Sequence, residues 1–347
     1  MDVGDGLKRV LVGRKLSSAQ LGATLLPKRI ALPVFASDAL SSVAYAPDEI
    51  LLTLSLGGMA AIGFSWQIGL LVAVVMAIVV LSYRQTVRAY PSGGGDYEVA
   101  TANIGGSAGL VVASALLVDY VLTVAVSVSS GVQNAKVMIP AITGHEGLVA
   151  AGVIMVLMGI NLRGVRESAA AFVIPAYAFM LGVLGMAGWG LVRILFLGEQ
   201  LKAPTADYTI VGQPQNSPFL GLAMIALLAR AFSSGSVALT GIEAISNGVP
   251  GFREPKAKNA AGTLALLGAL TLAMGAGVIA LAGQTGLKMV SPDGLSHFEL
   301  NGTPVAVNGV TAMGQLAITV FNPSSPGFFF VMTATVLILV VAANTAF

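Results

Sequence analysis

Eight stretches of near-continuous apolar residues run through this chain, near 30–56, 66–84, 107–133, 147–162, 169–192, 218–246, 260–283 and 326–346. A helix needs about 20 such residues to cross roughly 30 Å of hydrocarbon. Inside a bilayer only helices and closed barrels give every backbone N–H and C=O a partner. The pattern predicts an all-α integral membrane protein. Composition agrees: 56% of the 347 residues are hydrophobic and 10% charged, against about 25% charged in a soluble domain. The first run is too long for a cleavable signal peptide and follows a basic segment.

Charge distribution sets the expected orientation. With a cytoplasmic N-terminal segment over 1–29, the inner side carries Lys8, Arg9, Arg14, Lys15, Lys28, Arg29, Arg84, Arg88, Arg163, Arg166, Arg253, Lys256 and Lys258. The outer side then holds only Lys136, Arg193, Lys202 and Lys288, as the excess of Lys and Arg on the cytoplasmic side requires. The chain stops at Phe347 inside an apolar run, with no basic residue to mark the inner surface, so it is expected to be part of a longer protein. Residues 284–326 form a long outer connection in which 309–321 can make a short surface helix; an inert loop is the favoured reading and a lid the functional alternative. Cysteine is absent, which removes disulfides and cysteine metal sites. His145 and His297 fall in separate loops and suggest no site. The match of Asn301-Gly302-Thr303 to a glycosylation acceptor is short enough to arise by chance.

Acids inside the apolar runs carry the functional signal, because a charge near the bilayer centre costs about 2.5–3.5 kcal/mol on insertion scales and such residues line cavities or pathways. Asp38 lies ten residues past Lys28, which at about 1.5 Å per residue puts it roughly 15 Å deep. Asp119 is central in the third run, and Glu243 sits ten residues before Arg253 in the sixth. Around two of these acids the helical sequence is weak. The stretch FASDALSSVAYAPDE crowds hydroxyls about Asp38, and Gly235 and Gly241 punctuate SSGSVALTGIE before Glu243. Both read as helix breaks, which at membrane depth are tolerated only where they line a cavity or are buried in protein. Runs one and six are five helices apart, the spacing of a five-plus-five inverted repeat whose discontinuous helices meet at a midplane site. The first repeat covers about 30–192 and a partial second about 218–347, within a transporter domain over 30–347.

Four stretches, ALPVFASDALSSVAYAPDEI, YPSGGGDYEVA, LLVDYVLTVAVSVSSGVQN and ALTGIEAISNGVPGFREPKAKNA, resemble the KimA-type potassium importers of the KUP family, in the amino acid, polyamine and organocation (APC) superfamily. The glycine loop marks only the superfamily, whereas the acidic motifs of runs one and six are more specific. The resemblance implies the inverted-repeat fold of that superfamily and import of potassium by proton symport and alternating access. It implies potassium ligands at Asp38, Tyr45, Asp119, Tyr120, Thr123, Ser127, Thr240 and Glu243. It also leaves room for a homodimer of the full-length protein. Elementary chemistry fits: potassium exchanges its hydration shell for carbonyl, hydroxyl and carboxylate oxygens, and Asp119, Thr123 and Ser127 recur every four residues along one helix face.

Glu243 and Asp119 are the expected proton carriers. Arg230, an isolated cation in the sixth run, should be neutralised; Asp48 or Glu49 stands at a matching depth and is expected to pair with it as an outer gate. Potassium is substrate, the proton is co-substrate, and no cofactor, enzymatic activity or nucleic-acid partner is expected; the surroundings are lipid. The rival readings are an amino acid or polyamine permease of the same fold and, more remotely, an intramembrane aspartyl protease. Run one lacks the glycine-rich amides that hold a substrate carboxylate, and its Asp38 would repel one. In the protease reading a tyrosine should precede the membrane aspartate, whereas here Tyr120 follows Asp119.

Overall fold

The computed structural model describes residues 25–162, 169–212, 221–305 and 310–346. Lys8, Arg9, Arg14, Lys15, Arg163, Arg166 and Phe347 lie outside the described residues. Among the described residues seven segments are long and apolar enough to cross a membrane: Lys28–Ser55, Gly58–Ala89, Gly106–Met138, Phe172–Leu195, Leu222–Asn247, Lys256–Thr285 and Pro326–Thr345. The fourth apolar run is a shorter apolar helix of 17 residues, Glu146–Leu162. Large apolar side chains stand exposed along these helices, among them Leu70, Ile78, Leu110, Val121 and Leu181. Lipid accounts for such a surface; water does not.

The first segment is interrupted. Helix α1 (Lys28–Ser41) gives way to one 3-10 turn, Ser42–Ala44, and α2 (Ala46–Ser55) restarts after Tyr45. The Ser41 and Ser42 hydroxyls donate to the carbonyls of Asp38 and Ala39, each at 2.8 Å, the local side-chain competition that weakens a helix. Pro47, in the first turn of α2, lacks an N–H that would be unpaired there anyway. This broken segment is central: 83% of its apolar window is buried, against 17% for Gly106–Met138.

Helices α3 (Gly58–Ile62) and α4 (Ser65–Ala89) descend to the glycine loop. There Gly93, Gly94 and Gly95 all adopt positive φ, a conformation that favours glycine. Next come α5 (Gly95–Asn103), α6 (Gly106–Met138), α7 (Glu146–Leu162) and α8 (Ala169–Leu195). The second interrupted segment comprises α9 (Leu222–Gly235), a 3-10 turn at Ser236–Leu239, extended Thr240, Gly241 at φ +79° and α10 (Glu243–Asn247). Helix α11 (Lys256–Thr285) packs along α4, and α9 packs on α2.

A three-stranded antiparallel sheet caps the end of α2 and α3: β1 (Thr209–Gly212), β2 (Ser296–Leu300) and β3 (Thr303–Val305), with Thr209 opposite Glu299 and Leu300 opposite Thr303. Asn301 and Gly302 turn β2 into β3, both at positive φ, as a two-residue hairpin requires. Helix α12 (Ala312–Phe321) is the short helix expected in the outer connection, but it is docked in the core and not laid on the surface: Ala312, Met313, Leu316, Ala317 and Val320 are all buried. Its apolar stripe explains the docking. The last helix, α13 (Pro326–Thr345), lies between α6 and α8 and touches α1.

Candidate functional site

The two interruptions meet. A β-carbon placed on Gly241 would lie 2.5 Å from the amide nitrogen of Ala39 and 2.8 Å from Oδ2 of Asp38, so only a glycine lets the backbone of the second break touch the first. Asp38 is 8% exposed and its Oδ1 is buried without a hydrogen-bond partner. Beside it a cavity of ≈ 280 Å³ is lined by Ser37 and Asp38 from α1, Tyr120 from α6, Glu243 and Ala244 from α10, and Thr345 from α13. The Ser37 hydroxyl donates to Oγ1 of Thr345 at 3.4 Å.

Glu243 opens α10 and is equally buried, with its carboxyl group near the backbone of Gly241. The chain leaves helical geometry there, and a helix start favours a carboxylate. Asp38, Asp119 and Glu243 stand within electrostatic reach of one another. Among the described residues no ion pair reaches any of the three. Acidic groups removed from water without a counter-charge make a strong demand for a cation or a proton.

Hydroxyls surround them. Tyr45 places its phenol beside the hydroxyls of Thr240 and Ser41, within reach of Asp38 and Asp119. The Thr240 hydroxyl also donates to the Val237 carbonyl at 2.9 Å. Tyr120 lies beside Asn247 and within electrostatic reach of all three acids. Thr123 and Ser127 are buried on the next turns of α6, and Ser127 Oγ has no partner. They do not line the cavity, but they continue the polar face of α6 away from it, while Asp119 itself is half-buried. The structure thus gathers Asp38, Tyr45, Asp119, Tyr120, Thr240 and Glu243, with Thr123 and Ser127 farther along. Among the described residues no three acidic or histidine side chains converge as a chelating cage; the oxygens border a space.

The outer ion pair is a correction. Arg230 is exposed and its electrostatic neighbour is Asp293, while Asp48 Oδ1 accepts the Ala312 N–H at 2.9 Å and neither Asp48 nor Glu49 pairs with Arg230. Matching depth by residue count fails because run six contains a 3-10 turn and an extended residue, which change both rise and facing direction.

Other polar groups near the acids carried weaker signals. Asp96, directly after the glycine loop, accepts from the Tyr83 hydroxyl at 2.6 Å and lies within electrostatic reach of Glu243. Asn247 fits against Gly95, where a β-carbon would collide with its side-chain oxygen. The run of glycines before an acid was the available cue; its partner on α10 is some 150 residues away in the chain.

The sequence profile of the amino acid permease family matches residues 33–347. The potassium transporter KimA of Bacillus subtilis (strain 168) is 38% identical over 341 residues, which make up 98% of this chain and 52% of that protein. The chain therefore spans about half the length of this relative. With seven apolar spans among the described residues and a profile match over nearly its whole length, the chain is that of a multi-pass membrane protein and belongs to the amino acid permease family.

Proposed function

We propose that this chain is the ion-translocating part of a potassium importer of the KUP family. The reading places it in the cytoplasmic membrane with the N-terminus inside and arranges it as a five-plus-five inverted repeat. The observation that carries it is Asp38: an acid at the junction of two broken helices, with one carboxyl oxygen buried and unpartnered. Asp38 borders a cavity shared with Tyr120 and Glu243. A dehydrated alkali ion is the ligand such oxygens suit, since carbonyls, hydroxyls and carboxylates replace its water shell. The similarity to a protein named as a potassium transporter supports the same reading.

Potassium contacts are assigned to Asp38, Tyr45, Asp119, Tyr120, Thr123, Ser127, Thr240 and Glu243. The membrane potential drives an inward cation by about 2.3 kcal/mol per 100 mV. Proton symport adds to this drive, with Glu243 and Asp119 as carriers, and alternating access exposes the cavity to each side in turn. A homodimer of the full-length protein is compatible with this scheme.

The family's name favours one second reading, a permease for organic solutes. An amino acid carboxylate would meet Asp38 at the helix break, so the organic substrate most compatible with the cavity is a polyamine. Uptake of rubidium into liposomes holding the full-length protein, under an imposed potential and proton gradient, decides between them. Rubidium should enter, and Asp38→Asn should reduce its entry at least about tenfold, since an interaction with a charged group is worth about 1.5–3 kcal/mol. Uptake of an amino acid or polyamine with no cation uptake would overturn the assignment.

A further inference from the structure

A second cavity, of ≈ 310 Å³, lies where the two breaks meet α4 and α11. At its buried end it is lined by Val43, from the first 3-10 turn, and Ala238, from the second. Beside them the Ser42 hydroxyl reaches the Ala238 carbonyl at 3.4 Å and joins the two turns. That carbonyl therefore has a partner within the protein and asks none of an occupant.

Among the described residues the lining is apolar apart from Thr271 and the indole N–H of Trp66. The Thr271 hydroxyl already donates to the Leu267 carbonyl at 2.9 Å. Such a space gives water too few partners to hold it, and an ion none. At the other end Trp66 and Leu70 stand exposed, and Leu71, Val74 and Ile78 continue that exposed apolar face along α4, so the mouth opens on hydrocarbon. Trp66 lies in the first turn of α4, and tryptophan in a spanning helix favours the membrane interface. From Trp66 to Met76, both in the lining, α4 advances ten residues, about 15 Å. That is half of a hydrocarbon core of roughly 30 Å, the depth of one leaflet.

We propose that this cavity is a binding site for one acyl chain of a membrane phospholipid. The chain enters between α4 and α11 from the leaflet at Trp66, and its end packs against the junction of the two breaks at Val43 and Ala238. The headgroup stays outside the cavity, so the class recognised is hydrocarbon and not a particular phosphate ester. The inference does not depend on which solute the protein moves.

Gly275 lines the cavity from α11, and a β-carbon there meets nothing within 4 Å. Leucine is also the better helix former, so Gly275→Leu fills the cavity without displacing a neighbour. Ala73→Leu fills it from α4. The full-length protein is reconstituted in vesicles of dioleoylphosphatidylcholine, extracted in detergent, washed of loosely held lipid and weighed by native mass spectrometry. The parent should retain one more phosphatidylcholine per chain than Gly275→Leu. The same excess should appear from vesicles of dioleoylphosphatidylglycerol, because the chain and not the headgroup is held. Should Gly275→Leu fail to fold, as read by size-exclusion chromatography, Ala73→Leu carries the comparison. Equal lipid counts in the parent and a folded, filled variant would overturn the proposal, as would an excess that appears with one headgroup only.

Discussion

Gly241 touches Asp38. Its α-carbon faces the carboxylate so closely that a β-carbon there would sit 2.8 Å from Oδ2, and its φ of +79° lies in the region that side chains avoid. The second break thus supplies a backbone surface for the first, and an acid can lie against it without a counter-ion. Gly241→Ala should abolish this approach: the left-handed conformation alone costs about 1–2 kcal/mol, and the added carbon must also displace Asp38. Rubidium uptake should fall by at least about tenfold while the protein still inserts and folds, as read by size-exclusion chromatography in detergent. Normal uptake by a folded Gly241→Ala protein would show that the two breaks do not form one site.

Ligand-linked stability provides a second check on Asp38. A ligand that binds only the folded state stabilises it by about 2.7 kcal/mol at one hundred times its dissociation constant. Potassium should therefore raise the thermal midpoint of the purified protein, and sodium at equal ionic strength should raise it less. In Asp38→Asn the potassium response should disappear, because the buried Oδ1, which has no hydrogen-bond partner, is the group assigned to the ion. An equal response in parent and variant would remove Asp38 from the site.

Coupling is read separately from binding. Glu243 borders the same cavity as Asp38 and lies within electrostatic reach of Asp119 and Asp96, so it can exchange a proton for an ion's charge. Glu243→Gln retains the hydrogen-bonding shape but holds no exchangeable charge. Its residual rubidium uptake should follow the imposed potential and cease to respond to an imposed pH gradient. A variant that responds to pH as the parent does would free Glu243 of the carrier role.

Arg230 should be nearly silent. It is exposed and pairs with neither Asp48 nor Glu49, and surface substitutions of this kind usually stay within about 0.5 kcal/mol, close to twofold in rate. Arg230→Gln should thus leave rubidium uptake within about twofold of the parent. A loss approaching that of Asp38→Asn would mean that Arg230 meets an acid in another conformation of the cycle.

Local chemistry explains which parts of this site were legible in the sequence. Both breaks were visible because serines, glycines and an acid have no place in an unbroken apolar helix, and such residues make up half of FASDALSS and half of TGIE. The stripe of Thr123 and Ser127 follows from helical period alone, and both side chains are buried as that period requires. Long-range pairing was not legible. Strand β1 finds β2 across more than eighty residues, and the acceptor for the α12 amide is Asp48, 264 positions away. The depth argument for Arg230 used a uniform rise per residue, which the 3-10 turn and extended Thr240 do not have. The apolar stripe of α12 suggested a surface helix because nothing local records that α6, α8, α11 and α13 leave room for it.

The glycine loop offers the last test. Gly95 lies at φ +46°, and a β-carbon there would collide with the side-chain oxygen of Asn247, whose side chain lies beside Tyr120 at the cavity. Gly93 is similarly close to Pro250 and the Asn247 carbonyl. The loop between α4 and α5 therefore closes on α10 by side-chain insertion, and residues in contact of this kind couple by about 0.5–3 kcal/mol. Gly95→Ala should depress rubidium uptake strongly, and Asn247→Ala should depress it moderately through Tyr120. In the double variant the missing amide leaves room for the added methyl, so uptake should exceed the product of the two single effects. Strict multiplicativity would place the cost of Gly95→Ala in its backbone conformation alone and dissolve the proposed contact between this loop and the cavity.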